Sequence, residues 1–296
     1  MSVHQEKIKE LEKKANDIRE DIVKMLVEAG SGHSAGPLGM ADVFTALYFH
    51  VLEHDPDNSM WEERDRLILS NGHIVPVRYA TMAHAGYFDR KKLSSLRELE
   101  SELEGHPNVN RMPALETSSG PLGEGLSQAC GMAKGAKMDG KQWDYHIYCI
   151  MSDGEQQEGM TWEAAMFAGK ERLENLTGII DRNNIQIDGY TEDVMPLEPL
   201  KEKYESFGWH VLEMNGHEMS DIINKLEGAQ SIQEKPVLII ANTTPGKSVD
   251  FIENRFGWHG APPGGGPEEE VPTEKQKEEA LKQLRTLGGR IESEYD

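Results

Sequence analysis

Asp153-Gly154 follows the apolar run Ile147-Tyr-Cys-Ile-Met-Ser152, and Asn183, 30 positions beyond Asp153, follows a second run, Leu176-Thr-Gly-Ile-Ile-Asp181-Arg182. An apolar, β-branched and aromatic run stopped by a polar residue reads as a buried strand that delivers the polar group at its C-terminal end. A carboxylate, an amide oxygen and a nearby backbone carbonyl are hard oxygen donors of the kind that Mg²⁺ or Ca²⁺ takes while gripping a diphosphate. Asp-Gly after a strand is by itself also a common turn. The second strand end at Asn183 is what favours a metal-diphosphate site.

Histidines beside glycine form a second set: Gly32-His33, Gly72-His73, Gly105-His106, Gly216-His217 and His259-Gly260. His33 lies in a glycine-rich loop with no apolar periodicity, a setting that suits ligand contact better than core packing. His73 follows the short apolar strand 66–70, on the same rim logic as Asp153. His259 follows a long loop from the strand-ending Asn242. His217 reads as a turn residue. Gly120-Pro121-Leu122-Gly123-Glu124-Gly125 precedes a small-residue helix over 126–137; it either brings backbone close to something flat or is a turn before a helix N-terminus.

These residues need a scaffold. A helix-like segment over 161–173 joins the two central strands, and a right-handed crossover makes them parallel, so both polar ends share the rim where open α/β sheets bind ligands. Apolar residues at three- and four-residue spacing give a long helix over 5–29. Helices are expected over 40–51, 75–86 and 93–103, then helix, strand, helix and strand over 200–207, 209–214, 220–226 and 236–241. The fold class is α/β, with a mostly parallel sheet flanked by helices on both faces. Residues 1–263 are expected to form that domain. Gly264-Gly-Gly-Pro then breaks the chain, and the rest reads as a charged helix and acidic tail, either solvated or part of a contact surface.

The 296 residues carry a net charge of −21 and a pI near 4.9, which disfavours nucleic acid and anionic membranes as partners. Cys130 and Cys149 are not in a Cys-x-x-Cys arrangement and read as buried, reduced thiols of a cytoplasmic protein. The N-terminal residues are a charged amphipathic helix rather than a signal sequence, and no apolar run approaches membrane-spanning length.

Six patterns agree in order with the cofactor-binding half of transketolases: Ser31-Gly-His33, Ser70-Asn-Gly-His73, Gly105-His-Pro107, Ser119-Gly-Pro-Leu-Gly-Glu-Gly125, the Asp153/Asn183 pair, and Trp258-His-Gly-Ala-Pro262. The sequence therefore resembles the thiamin-diphosphate-binding N-terminal part of that family over about 15–263. The resemblance implies thiamin diphosphate and Mg²⁺, with Ca²⁺ able to substitute. It further implies Asp153 and Asn183 as side-chain metal ligands, Ile185 as the carbonyl ligand and Gly154 as an N–H donor to the diphosphate. His73 and His259 become diphosphate neighbours, with His259 also reaching towards the reacting carbon. His33 and His106 become sugar-contacting, proton-moving groups, Gly120 and Leu122 the cofactor cradle, and Glu158 and Glu163 carboxylates communicating across a subunit interface.

The implied reaction moves a two-carbon ketol unit from a ketose phosphate to an aldose phosphate, as in the pentose phosphate pathway. In the family, a glutamate from the following domain of a neighbouring subunit meets the cofactor's pyrimidine, and no part of this chain resembles that domain. The expectation is an N-terminal subunit completed by a separate C-terminal subunit in an α2β2 assembly. Ser152 replaces the family's usual glycine. The loop after His33 and Ile74-Val-Pro-Val-Arg78 after His73 also depart from the usual pattern, which leaves substrate identity open. An α subunit of a 2-oxo acid dehydrogenase shares the metal pattern but does not need His33, His106 and His259 together. A non-catalytic scaffold would be marked by a lost ligand, and none is lost.

Overall fold

Ile147–Ser152 and Leu176–Arg182 are buried along their whole lengths, which is why they read as continuous apolar runs rather than alternating ones. The computed structural model describes residues 5–267 and 273–295. In chain order its elements are α1 (Gln5–Ala29), α2 (Ala35–Gly39), α3 (Ala41–Ala46) with a π-helical turn over Leu47–Val51, β1 (Arg66–Leu69), α4 (Val75–His84), α5 (Glu124–Met138), β2 (Ile147–Ser152), α6 (Gly159–Glu171) and β3 (Leu176–Arg182). A small antiparallel hairpin, β4 (Ile185–Gln186) and β5 (Gly189–Tyr190), precedes α7 (Thr191–Val194), α8 (Leu200–Ser206), β6 (His210–Asn215), α9 (Met219–Gln230), β7 (Val237–Asn242) and α10 (Thr273–Tyr295).

The main sheet has the order β1-β2-β3-β7-β6, and every neighbouring pair is parallel. Successive side chains point to opposite faces, so each strand feeds two cores. Tyr148, Ile150, Ile179 and Ile239 pack with residues of α1, α3, α4 and α9. Ile147, Cys149, Met151, Ile180, Leu238 and Ile240 pack with residues of α5, α6 and α8. Cys130 and Cys149 are buried and free. Among the described residues no helix is long and apolar enough to cross a membrane.

The register sets Ser152 opposite Asp181. Asp153 therefore emerges from β2 beside the point where Arg182 and Asn183 leave β3, and the two strand ends lie on one rim. Ser152 is not among the positive-φ residues, so the missing glycine carries no backbone penalty. Its hydroxyl instead accepts the Glu155 N–H at 3.3 Å.

Two expectations are corrected. The polar helix over 93–103 does not form: a 3-10 turn over Arg90–Ser95 gives way to a loop with Arg97 and Glu100 at φ 63° and 67°. The Arg97 N–H closes that loop on the Leu103 carbonyl at 2.8 Å, and its leucines Leu93, Leu96 and Leu103 are buried as a plug rather than as a helical stripe. The charged C-terminal segment over Thr273–Tyr295 is solvated on one face only, because α10 buries Ala280, Leu281 and Leu284 in the core that α1 shares, and Asn16 donates to the Leu284 carbonyl at 3.0 Å. His217 does stand in a turn, its N–H on Asn215 Oδ1 at 3.0 Å, and its ring bonds Asp42 at 2.9 Å through Nδ1 and accepts the Thr244 N–H at 2.7 Å through Nε2. It thereby fastens the loop after β7 to α3.

Candidate active site

Three histidines from separate segments of chain converge on the carboxyl rim. The His33 and His73 rings lie 4.8 Å apart, His33 and His259 5.5 Å, and His73 and His259 5.3 Å. His106 arrives beside them because Gly72 has no side chain: a Cβ there would stand 3.2 Å from His106 Cδ2 and 2.5 Å from Ser119 Oγ. Gly260 likewise passes close to His33, its Cβ position lying 3.6 Å from His33 Nε2.

Burial dominates the electrostatics of this cluster. It holds the His33 imidazole down at about 3, with His259, Arg97 and His106 adding repulsion, and His259 at about 4. It also pushes His73 well below the usual range, and His106 downward together with Arg97. All four are neutral at pH 7, so each ring has one nitrogen to donate and one to accept. The Nδ1 atoms of His33 and His259 are buried without a protein partner, as are both polar atoms of the Asn71 amide, Ser119 Oγ and Gln186 Oε1. Buried polar atoms are normally satisfied, so this collection marks a surface built for a polar ligand.

Asp153 is buried at the tip of β2. One carboxylate oxygen accepts the Gly154 N–H at 2.7 Å; the other accepts the Asn184 N–H at 2.7 Å and the Arg182 guanidinium at 3.0 Å. Burial raises its pKa in spite of Arg182. The Asn183 amide is fixed in one orientation. Its Nδ2 donates to Asp181 at 2.8 Å and its Oδ1 accepts the Ile185 N–H at 3.1 Å, which leaves a second lone pair on Oδ1. Among the described residues no group of three or more His, Cys, Asp or Glu side chains can hold a metal by itself. The donors at this rim are one carboxylate, one amide oxygen and backbone carbonyls.

Gly154 is partly exposed, with Gln186 Oε1 3.1 Å from where its Cβ would be. A Cβ at Gly120 would meet open space, and Leu122 is half-buried in the same loop. Glu158 and Glu163 are exposed at the start of α6, with Glu158 next to the Gly123 turn.

Sequence reasoning missed four residues. Arg182 spans Asp153, Glu192 and Glu198. Asp181 is fully buried, orients Asn183 and takes the Thr243 hydroxyl, and burial lifts its carboxyl to about 7. Glu155 binds Ser70 and Gly123. Asn71 leaves its whole amide unpartnered. The available signal was their position within three residues of a strand end.

A parallel sheet with glycines, histidines and oxygen donors gathered along its carboxyl rim is the architecture of a thiamin-diphosphate-binding domain. The chain belongs to the transketolase family: residues 11–279 match the family model described as "Transketolase, thiamine diphosphate binding domain". It is 40% identical over 287 residues to one of the subunits of the apulose-4-phosphate transketolase of Phocaeicola vulgatus, covering 97% of this chain and 98% of that one. It is 42% identical over 250 residues to a 6-deoxy-6-sulfo-D-fructose transketolase subunit of Clostridium sp., covering 84% and 90%. The crystal structure of Campylobacter jejuni transketolase superposes with a TM-score of 0.80 at 33% identity, covering 96% of this chain and 48% of that one. The chain thus spans about half of that transketolase and nearly all of the two relatives that are themselves single subunits.

Proposed function

We propose that this chain is the diphosphate- and metal-holding half of a two-subunit transketolase. The side chains of Asp153 and Asn183 and the carbonyl of Ile185 hold Mg²⁺, with Ca²⁺ as a substitute, and the Gly154 N–H and His73 meet the diphosphate. The observation carrying this reading is the hydrogen bond from the Asn184 N–H to Asp153 at 2.7 Å, which fastens the two donor-bearing strand ends together. The residues present fit the cofactor. Asp153 and Asn183 each retain lone pairs for a cation, the unpartnered Gln186 Oε1 lies beside Gly154, and open space stands at Gly120.

Thiamin diphosphate, when bound, supplies the electron sink for breaking and forming the carbon–carbon bond beside a ketose carbonyl. The protein's own groups orient the sugar and move protons. His33 and His259 are neutral and have free Nδ1 atoms, so they bond hydroxyls of the ketose, and His259 also serves the reacting carbon. His106, from the neighbouring loop, shares the proton traffic. Burial of the cluster keeps bulk water from competing for those protons. Gly120 and Leu122 support the bent cofactor, and Glu158 and Glu163, exposed on the α6 side, face the subunit contact.

The partner chain supplies the glutamate that meets the pyrimidine, in an α2β2 complex in the cytoplasm. Sugar phosphates of the pentose phosphate pathway are the leading substrates. The relatives act, by their names, on apulose 4-phosphate and on a sulfofructose, so phosphorylated and sulfonated ketoses both belong in the assay. The test mixes this chain with the separate C-terminal chain and, with an acceptor aldose phosphate present, measures aldose release from a panel of phosphorylated and sulfonated ketoses. Turnover requires both chains, thiamin diphosphate and Mg²⁺. Full turnover by this chain alone, or activity on pyruvate in place of ketoses, contradicts the proposal.

A further inference from the structure

Glu155 is fully buried, and the partners of its carboxylate are neutral donors. One oxygen takes the Gly123 N–H at 2.5 Å and the Ser70 hydroxyl; the other takes the Ser152 N–H at 3.1 Å. Burying a carboxylate is expensive unless its lone pairs find donors. The donors come from three places: the residue after β1, the end of β2 and the loop 120–125. Ser70 extends the link, because its hydroxyl also accepts the Gly125 N–H at 3.0 Å.

The loop is drawn in as far as sterics allow. A Cβ at Gly125 would lie 2.3 Å from that of Ser70, and one at Gly123, whose φ is +89°, would lie 2.8 Å from Met160 and 3.0 Å from Glu158. The metal-side tip shares the Ser152 contact but has further holds of its own. Asp153 is held by the Asn184 N–H, by Arg182, and by its own N–H on the Asp181 carbonyl at 3.3 Å.

We propose that Glu155 is a positioning residue that staples loop 120–125 to the ends of β1 and β2, and so sets how closely the loop meets the ring portion of thiamin diphosphate without touching it. This rests on the reading above that Gly120 and Leu122 cradle the cofactor. Its consequence is a separation of two affinities. Loosening the staple weakens the grip on the rings and leaves the grip on a metal-bound diphosphate in place.

The test is calorimetric titration of the complex with its partner chain, at saturating Mg²⁺, with thiamin diphosphate and with inorganic diphosphate. Glu155→Met keeps the side-chain volume and removes both acceptors. The Kd for thiamin diphosphate rises by about 10- to 100-fold, the scale of losing charged hydrogen bonds, while that for diphosphate stays within about threefold. Unchanged affinity for thiamin diphosphate, or equal losses for both ligands, overturns the proposal; a role confined to stability gives the first result. If Glu155→Met does not fold, Ser70→Ala, which cuts the link to Gly125, shows the same separation, and equal Kd ratios for the two ligands overturn the proposal. Wild-type protein binding neither ligand overturns the cofactor reading and this inference with it. Wild-type binding with an unchanged variant overturns the inference alone.

Discussion

Asn184 donates its backbone N–H to the carboxylate of Asp153 at 2.7 Å while holding a left-handed backbone, φ 65°. Asparagine tolerates that conformation and a β-branched residue does not. Asn184→Gly therefore keeps the junction between β2 and β3, whereas Asn184→Val costs about 1–2 kcal/mol of stability and pulls the two donor-bearing tips apart. Urea denaturation of the two variants checks the difference, and equal midpoints contradict it.

The Asp181 side chain is linked to the proposed cation site through Asn183. Its carboxylate accepts from Asn183 Nδ2 at 2.8 Å, which keeps Asn183 Oδ1 turned away from it. Asp181→Leu removes that acceptor without leaving a cavity and frees the amide to flip, lowering metal affinity by about 10- to 100-fold. Asp181→Asn, which can still accept from Asn183 while donating to Thr243, restores most of it. Titration with Mn²⁺ in the presence of thiamin diphosphate reads both variants.

The buried histidines predict a pH dependence. The folded-state values of about 3 for His33 and about 4 for His259 lie below the roughly 6.5 of an unfolded chain. Above that value neither state carries the protons. As pH falls below it, the unfolded chain takes up protons that the folded chain refuses, so stability is lost progressively from about pH 6.5 down to the folded-state values. Denaturation midpoints fall between pH 7 and pH 5, and the slope is shallower in His33→Gln/His259→Gln. An identical slope in the double variant excludes these residues as its source.

Gly169 packs the C-terminal part of α6 against the end of α8, where a Cβ would stand 1.8 Å from the Phe207 carbonyl oxygen. Backbone must move to admit a methyl group. Gly169→Ala is therefore destabilising by about 1–3 kcal/mol, the usual range for overpacking, in spite of alanine's better helix propensity. Thermal melting measures it, and a raised midpoint contradicts the packing described.

The two central strands and their shared rim were legible because fully buried parallel strands announce themselves as unbroken apolar runs, and Asp153 and Asn183 sit where those runs stop. The glycines beside His33, His73 and His106 were legible as places of close approach. The region 93–103 was misread because Leu93, Leu96 and Leu103 have helical spacing but are buried by a loop that folds back on itself. Arg182, Asp181 and Glu155 were passed over because charges near strand ends usually face water. Their burial depends on partners such as Glu192, Thr243 and Gly123, which the sequence does not set beside them. The helix α10 looked solvated because its charges outnumber the few residues, Ala280, Leu281 and Leu284, that seat it.

The most direct measurement is calorimetric titration of thiamin diphosphate with Mg²⁺ into the complex of this chain and its partner chain, comparing wild type with Asp153→Ala. In that variant Arg182 keeps Glu192 and Glu198 as partners, so the fold persists. Saturable, Mg²⁺-dependent binding by the wild type and its loss in Asp153→Ala is the predicted result. Binding of equal strength in both proteins, or binding by the wild type that ignores the cation, contradicts a metal-diphosphate anchor at these strand tips.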